Sequence, residues 1–221
     1  MEGVDAMAHP PGLPGIALLC RRGDVQVWRV ELRLPEPVLA ERAEWLSPVE
    51  RERADRQRAR PDVRRRFVAA RSGLRQILSD FMGVAADVLE IAEGPDGKPE
   101  VRGGPSFSLS HSGELALCAV CPGRAVGVDL EALRSVAGAE EIARRWFTEN
   151  ELLAFESARG ADPQAAFLRI WTRKEAYLKA LGVGLSGLSA HPAPDPGAWE
   201  VHDLDPGPGY VASLVAARGG P

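Results

Sequence analysis

Cysteine is scarce in this chain: three residues in 221, an odd number, cannot build the disulfide framework of a small secreted domain. Cys118 and Cys121 form a single C-x-x-C inside an apolar run with no second pair, so they read as core cysteines ahead of a metal or redox pair. Long apolar runs are missing too. Nothing approaches the ~18 residues that a membrane span needs, and the opening MEGVDAMAHPPGLPG has neither the basic nor the apolar segment of a signal peptide. Residues 1–15 read as a flexible Pro/Gly tail, and the protein as cytoplasmic with no membrane partner. A basic excess is also lacking. The 27 Lys and Arg against 31 Asp and Glu leave a net charge of −4, which argues against a nucleic-acid partner. No G-x-S-x-G elbow presents a hydrolase serine. Lysine is scarcest of all the charged types: Lys98, Lys174 and Lys179 stand against 24 arginines. An ammonium is a compact point charge where a guanidinium is a planar fork, so these three positions raise the question of what chemistry selects them.

What is present is a globular amount of core, 45% hydrophobic residues, enough for one large domain or two small ones. The run VQVWRVEL alternates as a strand, with Val25 and Val27 on one face. Ser47, Pro48 and Glu50 spell a capping box that opens a helix. A second helix is expected from about Val63 to Met82, followed by the turn-rich EGPDGKP and the strand-like FSLS and LALCAVC. The second half repeats this order. Trp45–Glu50 recurs 101 residues later as Trp146–Glu151, again with a capping box, and Val25-Gln26-Val27 falls on Val126-Gly127-Val128. The helix RRRFVAARSGLRQIL is answered by AFLRIWTRKEAYLKAL, and EVHDL and YVASLVAA close the second half. The expected fold is therefore α+β: two similar subdomains, 16–122 and 123–221, related by internal duplication, with a ligand cleft between them.

Three motifs carry chemistry. In GVDLE, Asp129 and Glu131 share one face of a strand while Val128 and Leu130 take the other. Two adjacent carboxylates repel unless a cation such as Mg²⁺ sits between them, or unless that face is simply in water. In WTRKEAYLK, Lys174 falls inside the apolar helical stripe, from which a long side chain can snorkel, and Glu175 lies at its rim. Glu175 and Lys179, four apart, form either a surface ion pair or part of a site. In FSLSHSGE, serines 108, 110 and 112 alternate with Phe107, Leu109 and His111; His111 suits a phosphate contact, a proton transfer or a structural place. Finally, ten arginines between Arg51 and Arg75 face only Glu52, Asp55 and Asp62, either a phosphate-binding helix or a solvated one.

FSLSHSG, GVDLE and WTRKEAYLKALG, in this order and spacing, resemble the 4′-phosphopantetheinyl transferases, in particular the larger surfactin-synthetase type whose single chain has two similar halves. The resemblance runs from about residue 16 to the end. It implies Mg²⁺-dependent transfer of phosphopantetheine from coenzyme A to a serine of an acyl or peptidyl carrier protein, with release of adenosine 3′,5′-bisphosphate. Such carriers serve fatty-acid, polyketide or nonribosomal-peptide synthesis. It further implies that Asp129, Glu131 and Glu175 hold the metal, that Lys179 neutralises the transferring phosphate, and that Glu175 takes the serine proton. Ser110, His111 and Lys98 would contact coenzyme A, with Arg53 and Arg65 on its 3′-phosphate. Where related sequences often carry a basic residue after the Ser-Pro, this one has Val49 and Glu50. Two halves in one chain imply a monomer.

Overall fold

The structure is a computed structural model that describes residues 14–94, 97–158, 160 and 162–219. The expected tail lies outside the described residues as far as residue 13, as do Pro95 and Asp96 of the EGPDGKP turn. The chain runs β1 (Ile16–Arg22), β2 (Val25–Glu31), α1 (Glu36–Ala43), α2 (Pro48–Asp55), α3 (Pro61–Met82), β3 (Ile91–Glu93), β4 (Pro99–Val101), β5 (Ser106–Ser112) and β6 (Leu115–Cys121). It continues as β7 (Val126–Ala132), α4 (Ala139–Trp146), α5 (Glu149–Ala158), α6 (Pro163–Leu181), a 3₁₀ turn (Leu185–Ser189), β8 (Trp199–Leu204) and β9 (Tyr210–Ala217).

The strands form two antiparallel sheets, β1-β2-β6-β5 and β7-β9-β8, beside the small β3-β4 hairpin. Alternation along each strand sorts the side chains into layers. Val25, Val27, Leu115, Leu117 and Ala119 of the first sheet meet Val126, Val128, Leu130 and Leu214 of the second in one buried core. On the outer side of the first sheet, Val30, Ala116 and Cys118 pack on Leu74, Ile77 and Leu78 of α3. On the outer side of the second, Val215 packs on Ala176, Tyr177 and Ala180 of α6. The result is a helix–sheet–sheet–helix stack, an α+β architecture.

Element order repeats as the sequence pattern does. β7 begins and ends 101 residues after β2, and α5 begins 101 residues after α2. The order β2-β6-β5 in the first sheet matches β7-β9-β8 in the second. Strand β1, paired with β2 by a register that shifts between Leu18 and Cys20, has no counterpart in the second sheet among the described residues.

Both capping boxes form, and each glutamate does a second job. Ser47 Oγ accepts from the Glu50 amide at 3.3 Å, and Glu50 also takes Arg71 at 2.6 Å and Arg75 at 2.6 Å from α3. Thr148 Oγ1 accepts from the Glu151 amide at 3.3 Å, and Glu151 takes Lys174 of α6 at 2.8 Å. A cap oxygen that satisfies a helix start thus also holds the long helix behind it by a charge-assisted bond.

One glycine fixes how α6 meets the second sheet. A Cβ on Gly127 would lie 1.9 Å from the Ala176 carbonyl oxygen and 2.5 Å from the Ala180 amide nitrogen. The helix backbone rests directly on β7, on the face that also carries Asp129 and Glu131. Cys118 and Cys121, three apart on β6, point to opposite faces, one toward α3 and one into the core between the sheets. They cannot form one metal or redox pair, and burial pushes the Cys118 thiol well up, away from reactivity.

Candidate active site

The face of β7 that bears Asp129 and Glu131 lies under the C-terminal half of α6, between two strand edges that do not pair through backbone bonds. β5 is the edge of the first sheet and β7 the edge of the second. The β7 amides of Val128, Leu130 and Ala132 donate to the hydroxyls of Ser108, Ser110 and Ser112, at 3.1, 3.3 and 3.0 Å. Ser110 in turn donates to Asp129 Oδ1 at 2.7 Å, and Ser112 to Glu131 Oε2 at 2.9 Å.

Asp129 is 2% exposed. Its Oδ1 also accepts from Lys179 Nζ at 2.5 Å, and the same ammonium donates to Ser110 Oγ at 2.8 Å. Its Oδ2 is buried with no hydrogen-bond partner among the described residues. Glu175 faces the pair one helical turn before Lys179, with Oε1 held by the Trp171 indole N–H at 2.6 Å. Burial, and then the charge of Asp129, push the Glu175 carboxyl up to about 7. Asp129 is likewise raised, first by burial, with Lys179 opposing.

These four charged groups and Ser110 line a cleft of about 240 Å³. It shares Leu109, His111 and Lys179 with a larger pocket of about 370 Å³, whose wall includes Arg53, Lys98, Gly182 and Gly184. The His111 ring is disfavoured as a cation, first by desolvation and then by Lys179, Arg66 and Arg53. The larger pocket is therefore rich in positive charge, and an anion is the ligand that relieves it. In the smaller cleft the chemistry is the reverse. Three carboxylates, one with an orphaned buried oxygen, form a hard oxygen donor set that suits a divalent cation. Among the described residues no three His, Cys, Asp or Glu side chains are grouped closely enough to hold a metal as they stand. The cation now at Asp129 is the Lys179 ammonium.

Comparison with known proteins decides the family. The sequence profile of the 4′-phosphopantetheinyl transferase superfamily matches residues 125–218, the half that contributes β7 and α6. The chain is 37% identical over 222 residues to the 4′-phosphopantetheinyl transferase HetI of Nostoc sp., covering 94% of this chain and 92% of that one. It is 33% identical over 179 residues to a phosphopantetheinyl transferase of Thraustochytrium sp., covering 73% and 62%. It is 34% identical over 123 residues to the 4′-phosphopantetheinyl transferase psf-1 of Bacillus pumilus, covering 54% and 52%. The chain belongs to the 4′-phosphopantetheinyl transferase family.

Within this transferase the residues singled out by sequence divide into two groups. Asp129, Glu131, Glu175, Lys179, Ser110 and His111 converge on the carboxylate cleft, and Arg53 and Lys98 line the adjoining pocket. Arg53 lies over the Phe67 ring at 5.4 Å and has no carboxylate partner among the described residues. Arg65 does not reach either space. It is spent on the Leu32 carbonyl at 2.6 Å and on Glu114 at 2.8 Å. Arg71 lines the pocket instead, with its guanidinium on Glu50.

Two of the three lysines also prove to be ties in the fold. Lys98 donates to the Val126 carbonyl at 2.9 Å and to the Ala180 carbonyl at 3.4 Å, pinning the start of β7 to the end of α6. Burial brings its ammonium down to about 8. Lys174, 3% exposed, bonds Glu151 and the Pro192 carbonyl and lies over the Phe147 ring. Only Lys179 stands in the cleft. Ser110, expected on a coenzyme A phosphate, gives its one proton to Asp129 and its two acceptor positions to Leu130 and Lys179.

The string Gly182-Val183-Gly184-Leu185-Ser186-Gly187 has G-x-G-x-x-G spacing, but it follows a helix and its last three residues lie inside a 3₁₀ turn. It lacks the strand-to-helix setting of a dinucleotide fingerprint. Its Gly182 and Gly184 have φ of 85° and 60° and line the larger pocket, with open space where a Cβ on Gly184 would stand. Sequence reasoning passed over this wall, and the spaced glycines were the available signal.

Proposed function

We propose that this transferase moves the 4′-phosphopantetheine group of coenzyme A onto a serine hydroxyl of an acyl or peptidyl carrier protein, releasing adenosine 3′,5′-bisphosphate. The observation that carries this reading is the join at His111: a cleft of Asp129, Glu131, Glu175 and Lys179 opens directly into a cationic pocket large enough for a phosphorylated ligand. The carrier serine oxygen forms the new bond to the phosphorus next to pantetheine. The bond from that phosphorus to the bridging diphosphate oxygen breaks, and the serine proton leaves to a base.

Phosphoryl transfer asks chiefly for positioning and neutralisation of charge. Arg53 and His111 are assigned to the phosphates of coenzyme A in the larger pocket, with Lys98 bordering them. Lys179 is assigned to the transferring phosphate, toward which its ammonium can turn from Asp129. Asp129, Glu131 and Glu175 are the residues to hold Mg²⁺, which when bound polarises the diphosphate and offsets its charge. Glu175, with a carboxyl near 7, is suited to accept the serine proton directly or through a water. Its metal role ranks first, because a cation beside it lowers that value.

The two halves, 16–122 and 123–221, are taken as subdomains with the cleft between them. Since β5 and β7 of one chain supply both walls, the protein is proposed to act as a monomer. It is further proposed to be cytoplasmic, with no nucleic-acid or membrane partner; no helix among the described residues is long and apolar enough to cross a membrane. The test is direct. Purified protein, coenzyme A and Mg²⁺ are incubated with a panel of apo carrier proteins, and intact mass is recorded. Addition of one phosphopantetheine group to a carrier is the expected result. Release of free phosphopantetheine with every carrier unmodified would instead indicate a hydrolase.

A further inference from the structure

The serines of β5 form a ladder whose rungs differ in one respect. Each hydroxyl accepts from a β7 amide twenty residues on: Ser108 from Val128, Ser110 from Leu130, Ser112 from Ala132. Two of the three also donate to the side chain nineteen residues on, Ser110 to Asp129 and Ser112 to Glu131. For Ser108 that neighbouring position is Gly127, which has no side chain to receive a proton. The rung that lacks a carboxylate is the one where α6 rests on the strand.

A backbone amide hydrogen fixes the orientation of the hydroxyl oxygen, and the hydroxyl proton then points to whatever acceptor lies beside that amide. Direct pairing of β5 with β7 would satisfy the same amides but deprive each carboxylate of its hydroxyl donor. An aspartate has two rotatable bonds and a glutamate three, and a ligand that must freeze them binds more weakly for it. We infer that Ser110 and Ser112 are positioning residues, which hold the carboxylates of Asp129 and Glu131 ready for a divalent cation, while Ser108, on the wall of the larger pocket, joins the sheets without holding a carboxylate. The inference rests on the transfer reading above for its metal, and on the hydroxyl geometry for its residues.

The experiment compares Ser108→Ala, Ser110→Ala, Ser112→Ala and Ser112→Thr in the full chain. Mn²⁺ binding is followed by electron spin resonance, unfolding by urea, and transfer by the carrier assay. Each alanine variant loses one amide bond and should remain folded, with the urea midpoint falling least for Ser108→Ala and furthest for Ser110→Ala, which also gives up its bonds to Asp129 and Lys179. Mn²⁺ affinity should fall at least fivefold for Ser110→Ala and Ser112→Ala, stay within twofold for Ser108→Ala, and return with Ser112→Thr. Where transfer is measured, the losses at 110 and 112 should appear in the Mg²⁺ requirement and not in KM for coenzyme A. An equal loss of affinity in all three variants, or none in any, overturns the assignment. A wild-type protein that binds no Mn²⁺ overturns it as well, leaving the mass assay to judge the function. Mn²⁺ contrasts as expected with no carrier modified would keep the ladder and sink the transfer reading.

Discussion

Lys179 bypasses the glutamate one turn behind it and gives its ammonium to Asp129, 2.5 Å away on β7. The helix spacing alone pairs Lys179 with Glu175. The fold overrules it because α6 lies so close on Gly127 that β7 comes within reach, and Glu175 is turned to Trp171. The cation at the centre of the cleft is therefore shared between the two elements that the reaction needs held together.

Gly127→Ala removes this close approach. A methyl group 1.9 Å from the Ala176 carbonyl cannot be accommodated by a side-chain rotation, since the obstacle is backbone. We expect a loss of at least about 3 kcal/mol in urea unfolding, at the upper end of overpacking costs, and transfer lost along with it. A variant as stable as the wild type would show that α6 can lift from β7 freely.

Lys174→Met and Lys179→Met should separate a lysine of the fold from a lysine of the site. Lys174→Met leaves the capping-box carboxylate of Glu151 without its buried cation and should cost about 3 kcal/mol of stability, with KM for coenzyme A within twofold of wild type. Lys179→Met should lower kcat/KM at least about a hundredfold, the scale seen when one charge-stabilising donor is removed. Reversal of the two phenotypes would overturn both assignments.

Arg53 and Arg65 offer a second such pair. Arg53→Ala removes a cation from the wall of the larger pocket and should raise KM for coenzyme A about tenfold, the scale of one charge-assisted bond. Dephospho-coenzyme A measured alongside tells whether the lost contact was to the 3′-phosphate. Arg65→Ala breaks the tie to Glu114 and Leu32; it should shift thermal unfolding and leave KM as it was. A tenfold rise in KM for Arg65→Ala would restore that residue to the site.

Glu175 sets a pH dependence in the metal-free protein. Its folded value of about 7 stands above the 4.5 of an ordinary glutamate, so the folded state keeps a proton that the unfolded chain releases. The stability is present below about pH 4.5 and is lost as pH rises through 7, by at most about 3 kcal/mol. Glu175→Gln should flatten the urea-midpoint curve between these limits. Parallel curves for the two proteins would mean that the Glu175 carboxyl is not raised.

Legibility in the sequence followed the range of the interaction. GVDLE placed Asp129 and Glu131 on one face because a strand has period two. The capping boxes at Ser47 and Thr148 were readable because their partners are three residues away. The helix of Lys174 was readable by its period, but not that its ammonium ends on Glu151 and Pro192. Among ten clustered arginines the letters cannot say which carboxylate each will meet, and Arg65 meets Glu114, in the turn between β5 and β6. The alternating serines were noticed, yet their meaning depends on which two strand edges face each other. β1 escaped altogether: its register shifts between Leu18 and Cys20, which breaks the alternation by which a strand is read.

That overlooked strand decides how many times the chain can do its chemistry. β2 occupies in the first sheet the place that β7 holds in the second, and the edge of β7 that bonds the serines corresponds to the edge of β2 that β1 covers. Had that edge been left open, the repeated architecture would have offered room for a second ladder and a second cleft. With β1 zipped along it by backbone bonds, the amides there are already satisfied. The repeat in architecture is thus not a repeat in catalysis: the binding stoichiometry to expect is one coenzyme A per chain.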